Sequence, residues 1–117
     1  MKASKTVTID VKELLDGKHP AVVIRKDVTA NKGTISVGQI VAIASGKVLP
    51  YIKDDGTAGT VFGVATSYAD TATGKDTAVN VLVHGTCRRS VLTVVSAAAP
   101  VQADIDALAG IGVWALN

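Results

Sequence analysis

Between positions 33 and 94 the chain is a series of short apolar runs, each cut off by glycine, by Asp-Gly or by Ser-Gly. Ile40-Val41-Ala42-Ile43-Ala44 is followed by Ser45-Gly46-Lys47, Val48-Leu49-Pro50-Tyr51-Ile52 by Asp54-Asp55-Gly56, and Val61-Phe62-Gly63-Val64-Ala65 by a polar stretch that leads to Ala78-Val79-Asn80-Val81-Leu82-Val83. Glycine reaches positive φ, and Asp or Ser bonds its own local backbone, so this punctuation forces tight turns between strands. Long helices are excluded across that stretch. A mainly β domain is the consequence.

A chain of 117 residues suits one domain with a core of its own. Hydrophobic residues make up 48% but aromatics only 3%, so that core must be built from Val, Ile, Leu and Ala. An apolar content this high also predicts surface hidden between subunits. The net charge of +2 is unselective, and Tyr51, Phe62, Tyr68 and Trp114 are too few for a base-stacking surface, so direct nucleic-acid binding is not expected. A single cysteine, Cys87, permits no intrachain disulfide and reads as a small core residue. Neither a secretory h-region nor an apolar run of membrane-spanning length is present, which predicts a soluble chain made in the cytoplasm, with no membrane partner.

The N-terminus reads differently from the rest. Thr6, Val7, Thr8, Ile9, Asp10 and Val11 alternate strictly, with Val7, Ile9 and Val11 on one face of a strand. Asp16-Gly17-Lys18-His19-Pro20 then forms a turn cluster. The division is therefore an arm over residues 1–20 and a β-rich domain over residues 21–117. The arm is either an edge strand of the domain's own sheet or a strand added to a partner, with backbone hydrogen bonds for affinity and alternate pockets for Val7, Ile9 and Val11.

Further strands are predicted at Ala21-Val22-Val23-Ile24-Arg25, at Val91-Leu92-Thr93-Val94-Val95 and in Ile111-Gly112-Val113-Trp114-Ala115-Leu116. Ala44 to Lys47 reads as a hairpin turn, and Pro50 assigns its strand to an edge, since proline cannot donate to a ladder. Residues 66–77 read as an exposed connector. Val101, Ile105 and Leu108 fall at helical spacing, with Pro100 in the first turn, Asp104 and Asp106 near the positive end and Gly110 as the stop.

Chemistry-bearing clusters are sparse. His84 and Cys87 stand three apart, but a structural zinc site needs about four ligands and the one further candidate is His19. As a nucleophile and base they would lie on opposite faces of a straight strand. Asp54-Asp55 precedes Gly56 and reads as a turn; the loop from Asp70 to Asp76 lacks the alternating acids and final Glu of a calcium loop. Gly110-Ile111-Gly112 follows a helix rather than a strand, the wrong order for a dinucleotide fingerprint. Arg88-Arg89 reads as a solvated strand edge. No enzyme, cofactor or metal site is expected.

The order Gln39-Ile40-Val41-Ala42-Ile43-Ala44-Ser45-Gly46-Lys47-Val48-Leu49-Pro50-Tyr51, then Gly56-Thr57-Ala58-Gly59-Thr60-Val61-Phe62-Gly63-Val64-Ala65, then Val81-Leu82-Val83-His84-Gly85-Thr86-Cys87-Arg88-Arg89, resembles the lambda-type phage head decoration proteins. Ile105-Asp106-Ala107-Leu108-Ala109-Gly110-Ile111-Gly112-Val113 is similar to that family's last helix and strand. The resemblance implies a small compact barrel- or sandwich-like β domain with one short C-terminal helix. It implies a homotrimeric cement protein that binds the major capsid protein at three-fold and quasi-three-fold positions of the expanded shell, on the virion exterior, and resists internal DNA pressure. By the same resemblance the arm residues Thr6, Val7, Thr8, Ile9, Asp10 and Val11 would pair with capsid strands, although this arm departs from the Thr-, Pro- and Gly-rich arm of the better-known member. The alternative is a β-rich module of another phage assembly, such as the tail.

Overall fold

The computed structural model describes residues 21–52, 59–95 and 98–117. The strand-like arm of Thr6, Val7, Thr8, Ile9, Asp10 and Val11, and the Asp54-Asp55 turn, lie outside the described residues. Among the described residues eight strands and one α-helix follow in order: β1 (Val22–Asp27), β2 (Thr34–Ile35), β3 (Ile40–Ala44), β4 (Lys47–Pro50), β5 (Thr60–Ala65), β6 (Ala69–Asp70), β7 (Ala78–Arg88), α1 (Gln102–Gly110) and β8 (Val113–Leu116). The protein is mainly β with one short helix, as its punctuation requires.

The main sheet runs β1-β7-β5-β3-β4, antiparallel throughout, and β8 joins β7 in parallel. Two irregularities bend it. Register shifts occur between Val22 and Val23 on β1 and between Val41 and Ala42 on β3, leaving Val83 and Phe62 as the extra residues on the opposing strands. Such bulges raise the local twist, and the sheet curls into a half-barrel. The curl carries the chain just after β1 to the far edge, where Val28 bridges Val48 and the Thr29 N–H donates to the Val48 carbonyl at 2.8 Å.

Both faces of the central strands are covered, which is why they read as unbroken apolar runs. Ile40, Val64 and Leu82 point into one core with Cys87, Leu92, Ile105, Leu108 and Val113. Their neighbours Val41, Ala65 and Val81 point into a second core with Val28, Ile35, Val48, Ala69 and Val79. The alternation of successive residues between cores fixes the register, since a slip by one residue would exchange the two sets.

The hairpin between β3 and β4 forms as expected. Ser45 and Gly46 both take positive φ, 52° and 78°, the two-residue turn whose twist matches that of the strands. Pro50 lies on β4, an outer strand of the sheet order.

Residues 66–77 differ from the exposed connector predicted. Ala69 is fully buried, Thr71 is 1% exposed, and β6 pairs with β2. The Thr71 hydroxyl donates to the Gly33 carbonyl at 2.6 Å and accepts from the Lys32 N–H at 2.8 Å. A two-residue ladder is too short to show period-two alternation. Thr71→Val keeps the shape and leaves both backbone groups without that partner, so it is expected to cost about 1–3 kcal/mol, read from the urea midpoint.

The predicted strand at Val91-Leu92-Thr93-Val94-Val95 is also revised. Arg89–Val91 form a 3-10 turn, Leu92 enters the core, and the backbone touches β3 only through an isolated Gln39–Thr93 bridge. Helix α1 starts at Gln102 with Val101 as N-cap, which puts Pro100 just outside the helix. Valine has no side-chain acceptor, so the end is closed by the Asp104 carboxylate, which accepts from the Val101 N–H at 2.9 Å. Gly110 remains helical, and the left-handed stop is Gly112 at φ 94°. Nine residues are too few for a stable isolated helix, so burial of Ile105 and Leu108, at about 1.5–3 kcal/mol each, supplies what propensity does not.

Candidate functional site

Cys87 is fully buried among Leu108, Val113 and the rest of its core, whereas His84 is exposed and lies edge-on to Trp114. The two side chains occupy different environments and form no nucleophile and base pair open to a substrate. Among the described residues no group of three or more His, Cys, Asp and Glu side chains could hold a metal ion. Asp70 and Asp76 fasten their own loop. Asp70 Oδ1 accepts from the Ala72 N–H at 3.1 Å, and Asp76 Oδ2 from the Asp70 N–H at 2.9 Å. The paired arginines separate: Arg89 donates to Gln102 Oε1 at 2.8 Å and ties the 3-10 turn to α1, while Arg88 is exposed opposite Leu116.

The feature that stands out is an apolar surface around His84. Val22, at the start of β1, pairs with His84 on β7, and the His84 ring meets Trp114 at 5.5 Å between centroids and 79° between planes. The loop before β8 presses on the same imidazole. A Cβ on Gly112 would lie 2.7 Å from His84 Nδ1, a contact the exposed ring could move to relieve, so the requirement for glycine there comes from its φ of 94°. Val22, Ile111, Trp114 and Leu116 are 46%, 40%, 41% and 38% exposed. On β8 the inward residues are Val113 and Ala115, so Trp114 and Leu116 form an outward face that is as apolar as the inward one. A sheet facing water would place polar residues at those positions.

Sequence reasoning did not identify this surface. Its one signal was the absence of polar alternation in Val113-Trp114-Ala115-Leu116, and a buried strand gives the same signal.

The surface also marks where the N-terminal residues join the domain. Residues 1–20 connect through Ala21 directly to Val22, one of the exposed residues of this surface. No helix among the described residues is long and apolar enough to cross a membrane. No family model matches the chain, and no curated protein matches it significantly.

Proposed function

We propose that this chain is a phage capsid decoration protein, a homotrimer that cements the expanded shell of the major capsid protein from outside after synthesis in the host cytoplasm. The observation that carries the reading is the exposed apolar surface of Val22, Ile111, Trp114 and Leu116 at the root of the arm. A protein whose task is to staple neighbours needs surfaces to bury and backbone to pair, and no catalytic group. Two cores and short turns hold that surface rigidly, while the alternating Thr6, Val7, Thr8, Ile9, Asp10 and Val11 supply a segment suited to strand addition. Three arms on one trimer bind in parallel, so modest contacts multiply into an attachment that resists pressure from within.

The test is co-sedimentation with expanded shells. Full-length protein is expected to bind and to raise the temperature at which shells break. The variant lacking residues 1–19 should bind at least about a hundred-fold more weakly, a loss of about 2.7 kcal/mol. Undiminished binding of the truncated protein would remove the arm from the mechanism. Sedimentation equilibrium of the free protein should give about three times the 11.9 kDa of one chain, and a monomer would favour a module of another assembly.

A further inference from the structure

Further along β1, about 10 Å from Val22 at the rise of a strand, the surface changes character. An open groove of about 400 Å3 is lined by Arg25, Ser67, Tyr68, Lys75, Asp76 and Asn80, among others. That volume falls within the usual range for small-molecule sites. We propose that this groove binds an acidic saccharide, with its carboxylate on Arg25 and Lys75 and a sugar ring against Tyr68.

The groove is held together by hydrogen bonds that fix its backbone, two of them accepted by its own Ser67 and Asp76 side chains. Arg25 stands directly opposite Asn80 in the β1–β7 ladder. The Asn80 N–H donates to Ser67 Oγ at 3.0 Å and the Thr66 N–H donates to the Asn80 carbonyl at 2.8 Å, which fixes the turn carrying Tyr68 beside that ladder. On the other side, the Asp76 N–H donates to the Asp70 carbonyl at 3.0 Å while Asp76 Oδ2 accepts from the Asp70 N–H. This reciprocal pair closes the loop that presents Lys75. A ligand would therefore meet groups whose backbone is already ordered, which lowers the entropic cost of binding.

The chemistry of the lining selects the ligand. Among the described residues neither the Arg25 guanidinium nor the Lys75 ammonium has an ion-pair or hydrogen-bond partner, so two cationic side chains line one groove without a counter-charge bonded to them. A carboxylate there would gain charge-assisted hydrogen bonds. Tyr68 is 57% exposed and belongs to neither core, so its ring offers an open apolar face. The C–H face of a pyranose fits such a ring, while the Asn80 amide, the Ser67 hydroxyl and the Asp76 carboxylate match sugar hydroxyls as donors and acceptors. A nucleic-acid strand fits less well, since successive bases need successive aromatic platforms and Tyr68 is the one aromatic ring of the lining.

The test is a titration of amide resonances of the free full-length chain with a galacturonate trisaccharide, beside maltotriose, inorganic phosphate and a short single-stranded oligonucleotide. Shifts are expected at Arg25, Tyr68, Lys75 and Asn80 with an affinity of about millimolar or tighter, and maltotriose should bind at least about ten-fold more weakly. Arg25→Ala and Tyr68→Ala should each weaken the trisaccharide about ten-fold, whereas Tyr68→Phe, which keeps the ring, should not. The proposal is overturned by unshifted resonances at these positions, by phosphate alone binding as tightly as the trisaccharide, or by the oligonucleotide binding more tightly than it. Unchanged resonances elsewhere verify the fold of each variant. The measurement involves no shell, so its outcome is separate from that of the decoration proposal.

Discussion

Gly63→Val is expected to yield no folded protein, and Gly63→Ala a protein destabilised by about 3 kcal/mol or more in urea. Gly63 sits in β5 where that strand is held between β3 and β7, opposite Val41 and beside the extra residue Phe62. Its φ is not in the left-handed region, so the requirement for glycine is one of space. A Cβ there would overlap the Leu82 carbonyl oxygen and lie 2.7 Å from Val81 Cγ1. Side chains at a protein's periphery move aside at small cost. Here the obstacle is the backbone of the central strand of the sheet, and Leu82 and Val81 are both fully buried in opposite cores. Relief would require β5 to leave β7, which separates both cores at once. Overpacking ordinarily costs about 1–3 kcal/mol, and a backbone obstacle belongs above that range, against a total of about 5–15 kcal/mol for a domain. A Gly63→Ala variant with an unchanged urea midpoint would show that the two strands do not approach this closely.

What was legible in the sequence was whatever rested on local chemistry. The Ser45-Gly46 turn, the edge position of Pro50 and the buried Cys87 each follow from one residue's conformational or solvation preference. What was hidden depended on distant neighbours. The parallel pairing of β8 with β7 is separated from β7 in sequence by the 3-10 turn and α1, and nothing local specifies it. Leu92 and Thr93 looked like strand residues because burial against a helix and bridging to Gln39 select the same residue types. Gly110 looked like the helix stop, yet the position that needs glycine is Gly112, whose φ of 94° lies in the left-handed region. The apolar surface was obscured for the same reason. A run such as Val113-Trp114-Ala115-Leu116 does not say which of its faces is covered until its neighbours are placed.

The second large effect is expected from the double substitution Trp114→Glu with Leu116→Glu. Both residues are more than a third exposed in the single chain, at 41% and 38%, and neither belongs to a buried core. Stability of the isolated domain should fall by about 2–3 kcal/mol, through loss of the part of each side chain that is already covered and of the edge-on contact with His84. Assembly should respond quite differently. Full burial of an aromatic or leucine side chain contributes about 1.5–3 kcal/mol, and a carboxylate placed in the same apolar contact adds a desolvation cost. In the proposed trimer the change is made three times over, and contacts that act in parallel are lost in parallel. Shell binding should therefore drop by at least about a thousand-fold, about 4 kcal/mol, while circular dichroism shows the chain still folded and the urea midpoint falls only as that smaller loss of stability requires. Sedimentation equilibrium of the same variant separates two uses of the surface. A monomer would place Trp114 and Leu116 between subunits, and an intact trimer that no longer binds shells would place them against the capsid. A variant that remains trimeric and binds shells with undiminished affinity would exclude this surface from both roles and leave the arm as the sole attachment.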